Sequence, residues 1–152
     1  MKKINFLFLA VLISFTISCT TESVKENLEV KNKLEHISKV SIETNTMLVF
    51  SMDSIANFKW DSLVILPPYT NLELVSKKFF INFKVLSNTG IQQNDNKCVL
   101  VFIENGHIVN YVNIQRGVMD FYQVNDYRLF LRSDANFRID KKKITIEDRR
   151  LQ

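Results

Sequence analysis

Hydrophobic and polar positions change their spacing several times along the chain. Lys2 and Lys3 precede an apolar run over residues 4–17, which closes on Ser18 and Cys19. That run is shorter than the roughly 20 residues needed to span a bilayer. Its length and its leading cations fit the apolar core of an export signal. Residues 20–38 are charged, and Val24, Leu28, Leu34 and Ile37 are too widely scattered for a core-facing stripe. Ser23 and Glu26 have capping-box spacing, so the segment reads as a partly helical tether. From residue 39 the spacing shortens to that of strands. Val40 and Ile42 alternate with polar neighbours, residues 43–45 suit a turn, and MLVF at 47–50 suits a short buried strand.

The stretch FKWDSLVILPPYT, residues 58–70, is the most distinctive of the body. Residues 63–66 are continuously apolar, which predicts a strand covered on both faces, and Pro67-Pro68 ends it because neither proline can donate a ladder hydrogen bond. Thr70 and Glu73 have capping-box spacing for a helix whose Leu72, Val75 and Phe79 share one side, with Lys77 and Lys78 favouring its C-terminal dipole. A polar loop is expected over residues 87–96. Next, CVLVFIE and HIVNYVN flank Asn105-Gly106, the preferred pair for a type I′ turn. The turn predicts that Ile103 faces Ile108, Phe102 faces Val109 and Leu100 faces Tyr111. Residues 127–131 alternate again. A second hairpin, 136–140 with 143–147 across Lys141-Lys142, sets Ile139 against Ile144 and Phe137 against Ile146. The expected fold class is α+β, an antiparallel meander sheet with a short helix on one face after the Pro-Pro corner. The expected organisation is a signal over 1–18, a tether over 19–38 and one domain over 39–152.

Composition adjusts this picture in two places. The formal charge of +4 includes Lys2 and Lys3, so without the signal 18 basic side chains face 16 acidic ones, a balance of +2. The high pI therefore does not argue for nucleic acid, and no stacking motif does either. If Cys19 carries lipid, Cys98 is the remaining thiol, no intramolecular disulfide can form, and the core must hold the domain.

The ending FTISC at residues 15–19 resembles a bacterial lipobox, in which a small residue precedes a cysteine that is diacylated at sulfur and becomes the first residue of the mature chain. The pattern prefers leucine where Thr16 stands. An ordinary signal cut near Ser18 and an uncleaved anchor are the competing readings. Thr20, Thr21 and Glu22 lack the aspartate that retains lipoproteins at the inner membrane in enterobacteria, which points by analogy to the outer membrane. The motif FKWDSLVILPPYT, with Leu100-Val101-Phe102, Asn105-Gly106, Val109, Tyr111, Arg116 and Asp120-Phe121, resembles a group of small bacterial lipoproteins without an assigned activity. The resemblance implies a lipid-anchored envelope protein and supplies no catalytic residue.

Candidate chemistry is sparse. Asp61 shares a strand face with Leu63 and Ile65, and Trp60, Tyr69, Arg116 and Asp120 form a ligand or partner cluster with it if the loops converge. The competing expectation is that Asp61 fixes a turn or pairs with an arginine while Trp60 and Tyr69 pack. His107 faces Glu104 across the Asn-Gly turn, near enough for a charge pair, and His36 lies in the tether. Neither has metal-ligand spacing, so no metal and no cofactor is implied. No G-x-S-x-G elbow is present, and a Ser-His-acid triad lacks material. Cys98 alternates with Leu100 and Phe102 and reads as buried and inert. Residues 128–152 carry eight basic against four acidic side chains. That face suits anionic headgroups or an acidic partner, although lysines on a strand edge more often serve to discourage aggregation. Together these features predict a non-enzymatic envelope protein, membrane-bound through its N-terminal lipid, that binds or helps assemble an envelope partner. The alternatives are an inhibitor or immunity protein, and a small hydrolase using Asp61 and Asp120.

Overall fold

Five consecutive side chains are buried along β3 (Ser62–Leu66), the behaviour of a strand covered on both faces. The computed structural model describes residues 24–124 and 127–147. The expected export signal, Cys19 and Ser23 fall outside the described residues, as do Arg149 and Arg150 of the basic C-terminal stretch.

β3 lies inside a five-stranded sheet with β1 (Lys25–Glu26), β4 (Lys97–Glu104), β5 (His107–Gln115) and β6 (Leu129–Leu131), in the order β1-β5-β4-β3-β6. All its pairings are antiparallel except β1 with β5. The period of two sorts its side chains. Leu63, Ile65, Leu100, Phe102, Val112 and Ile114 enter one core, whereas Val64, Leu66, Val99, Val101, Ile103 and Tyr111 enter another. The first core is closed by α1 (Leu28–Thr44) and by a three-stranded sheet of β2 (Leu48–Ser51), β7 (Asn136–Asp140) and β8 (Lys143–Ile146), in the order β2-β7-β8. The second is closed by α3 (Leu72–Phe79) and the 3-10 turns Phe83–Thr89 and Ile91–Gln93. A single turn, α2 (Met52–Ile55), follows β2. The α+β class with antiparallel pairing is therefore observed. Helices cover both faces instead of one, and the strands divide between two sheets instead of following one meander.

The principal departure lies in residues 25–44. The strand expected at residues 39–42 is the C-terminal part of α1, which runs through the expected boundary at residue 38. Asn27 caps the helix by accepting from Val30 N–H at 3.0 Å, while Lys25 and Glu26, expected near a helix start, form β1. Val30 and Leu34 are fully buried, and the same stripe continues through Ser38 and Ser41. Ser38 Oγ donates to Val118 C=O, and Ser41 Oγ donates to Thr46 C=O at 2.8 Å while accepting from Lys141 N–H at 3.0 Å. Serines are hidden on this stripe because each finds backbone partners. Asn45 ends the helix in the left-handed region at φ 50°.

Elsewhere the local signals shift by single positions. α3 is capped by Asn71, whose Oδ1 accepts from Glu73 and Leu74 N–H at 3.0 and 3.1 Å, and not by Thr70. Thr70 Oγ1 instead donates back to Pro67 C=O at 2.6 Å, tightening the Pro-Pro corner. In the first hairpin Ile103 faces Ile108 as expected, but a bulge after Phe102 sets Phe102 against Asn110 and Leu100 against Val112. The extra residue is Val109, which packs against the first core. The second hairpin keeps its expected register, Ile139 with Ile144 and Phe137 with Ile146. Phe137 joins the two sheets, its ring 5.4 Å from Phe130, 5.7 Å from Phe121 and 5.9 Å from Phe50.

Candidate functional site

The residues expected to gather around Asp61 form two groups at opposite ends of the large sheet. Asp61 precedes β3 beside the Asn105-Gly106 turn, and Arg116 follows β5, its N–H bonded to Asn96 C=O at 2.8 Å. Between these ends β4 extends for eight residues, roughly 25 Å of strand.

At the first end Asp61 is exposed, and both its carboxylate oxygens are used locally. Oδ2 accepts from Asn105 N–H at 2.6 Å and Oδ1 from Ser62 Oγ at 2.7 Å. Its backbone N–H donates to Ile103 C=O at 2.8 Å, and its C=O accepts from Arg132 N–H at 2.9 Å. Asp61 thus ties the tip of the β4–β5 hairpin to β3 and β6. Trp60 is buried edge-on against Phe102, ring centroids 5.3 Å apart. The Arg132 guanidinium lies 5.5 Å from the Trp60 ring and pairs with Asp53. The indole Nε1–H of Trp60 is buried without a hydrogen-bond partner among the described residues.

At the second end Arg116 and Asp120 form a two-pronged pair, Nε to Oδ1 at 3.0 Å and the terminal nitrogen to Oδ2 at 3.1 Å. That contact raises the pKa of the Arg116 guanidinium above its ordinary value. Arg116 also donates to Asp95 C=O at 3.1 Å and stacks 4.7 Å from the Tyr122 ring. Through its backbone Asp120 accepts from Ile144 N–H at 3.1 Å and donates to Lys142 C=O at 2.6 Å, which fastens the second hairpin to the end of the large sheet. Cys98 is fully buried nearby, and burial pushes its thiol up to about 12, with the Asp120 carboxylate acting in the same direction. Tyr69 belongs to neither group. It is exposed in the Pro-Pro corner at φ 59°, its N–H bonded to Ile91 C=O at 3.0 Å. Asp61 and Asp120, the acids of the hydrolase alternative, are too far apart to act on one bond.

His107 stands opposite Glu104 in register, but no ion pair joins them among the described residues. His36 is exposed on α1. Among the described residues no group of three or more histidines, cysteines and carboxylates is arranged to hold a metal ion.

A surface that the hydrophobic pattern did not single out lies over α3 and the turn after it. Phe80 is 95% exposed and sits in the left-handed region at φ 57°, where a bulky side chain is strained. Val85 is also exposed, in an adjoining depression that shares Ile81 and Asn82 with this surface. Lys77 and Lys84 share Glu73, at 3.2 and 3.9 Å. The hydrogen bond from Lys77, followed by the charge of Lys84, holds the Glu73 carboxyl below its ordinary value. The signal that could have exposed this surface is the pair Phe79-Phe80 at the end of an amphipathic helix, where adjacent positions cannot both face the core. Comparison with protein-family models, with curated proteins and with solved structures gives no match to this chain.

Proposed function

We propose that the protein is exported and fastened to an envelope membrane by a diacylglyceryl group on Cys19, and that the body held there binds another macromolecule. The observation that carries this reading is the order of residues 2–19, two lysines, an apolar run too short to span a bilayer, then Ser18-Cys19. The absence of aspartate at residues 20–22 favours the outer over the inner membrane. Support for binding over turnover comes from the candidate polar residues: Asp61, Arg116 and Asp120 are occupied in holding turns and hairpins.

Metabolic labelling with palmitate tests the anchor. Label is expected on the wild-type chain and is lost with Cys19→Ala, and globomycin is expected to hold the labelled chain at its precursor size. An unlabelled chain that is still processed would remove the lipid from the proposal. Cross-linking in intact membranes then reads the binding role, with a stoichiometric envelope protein expected. Turnover of a small substrate without such a partner would overturn the binding role.

A further inference from the structure

We infer that the surface around Phe80 docks on the bilayer itself, so that the protein lies on the membrane in one orientation; the inference rests on the lipid anchor proposed above. Cys19 and Val24 are five residues apart in the sequence, a span of at most about 18 Å of fully extended chain. Val24 lines a depression with Ile81, Asn82 and Val85, and Ile81 and Asn82 also line the adjoining depression that holds Phe80, Lys77 and Lys84. An acyl chain on Cys19 therefore keeps this surface, and not the opposite side of the body, within reach of the headgroups.

The chemistry of the surface suits that neighbour. Phe80 is 95% exposed, with Val85 at 44% in the adjoining depression. An aromatic ring standing clear of the body is favourable at the level of the headgroups. Lys77 and Lys84 set two positive charges around the one carboxylate of Glu73, an excess that complements an anionic lipid surface. Packing does not account for Phe80: it occupies the conformation that glycine or asparagine normally takes at a helix end, and it buries almost nothing there.

The test uses the full chain, purified from membranes, shown to carry palmitate, and reconstituted into phosphatidylethanolamine and phosphatidylglycerol vesicles with brominated acyl chains. Phe80→Trp places an indole on the surface, and Trp60, only 3% exposed, supplies the internal background. The emission added by Phe80→Trp is expected to shift to the blue and to be quenched by the brominated chains. Quenching is expected to weaken when phosphatidylcholine replaces the anionic lipid. Unquenched, water-like emission from acylated protein would overturn the docking surface and leave the anchor in place, the result expected if a protein covers Phe80 instead. A chain recovered soluble and without palmitate would overturn both.

Discussion

The Asp61 carboxylate accepts the backbone N–H of Asn105 at 2.6 Å, from a residue 44 positions further along the chain. The bond clamps a turn whose central residues, Asn105 and Gly106, stand at φ 50° and 77°. Its loss is a loss of stability. Asp61→Ala is expected to lower the unfolding free energy by about 1–2 kcal/mol, and Asp61→Asn by less, because one amide oxygen still accepts. Urea denaturation measures both, and an unchanged midpoint for Asp61→Ala would contradict the clamp.

Leu34 is fully buried in the core between the two sheets, and α1 is therefore part of the body. Leu34→Ala is expected to cost about 2–5 kcal/mol, the range for removing a packed leucine. A helix standing off the domain as a tether would leave the thermal midpoint where it was.

The Cys98 thiol is predicted to be unreactive in the folded protein. With Cys19→Ser in place, so that one thiol is read, a disulfide reagent at mild alkaline pH should label the native chain far more slowly than the urea-unfolded chain. Burial raises the thiol from 9.0 to about 12. The folded state then keeps a proton that the unfolded chain has released, so stability falls as pH rises through that window. Relative to Cys98→Ala, the wild type is expected to lose up to about 1.4 kcal/mol per pH unit there. A constant difference between the two proteins would show that the thiol does not titrate as burial dictates.

Phe80→Asn separates stability from surface function. Asparagine adopts φ near 57° with little strain and the phenyl ring buries almost nothing, so the variant is expected to be more stable by about 1 kcal/mol. Calorimetry on the purified chain measures the change, and a lower melting temperature would mean that the ring packs in solution.

The legible parts of the fold are those decided by neighbours in sequence. Asn105-Gly106 specified a turn because both residues tolerate positive φ, and the alternation of Phe137, Ile139, Ile144 and Ile146 set the second hairpin's register. The bulge at Val109 was not legible, because nothing in an alternating strand marks where one residue slips out of register. Of the candidate site, the pairing of Arg116 with Asp120 is local, four positions apart. The separation of that pair from Trp60 and Asp61 depends on how far β4 carries the chain.

By itself the sequence determined the buried strand of residues 63–66, the Pro-Pro corner, the two hairpin turns and the α+β class, all consequences of side-chain period and of which backbone angles each residue allows. Tertiary structure alone decided that residues 39–44 are helical. Val40 and Ile42 favour strands, but the stripe through Ser38 and Ser41 is buried by partners 80 and 100 positions away, Val118 and Lys141. It also left Phe80 in solvent. The helical period already puts Phe79 beside Leu72 and Val75, but only the assembled structure decides that no other element covers Phe80.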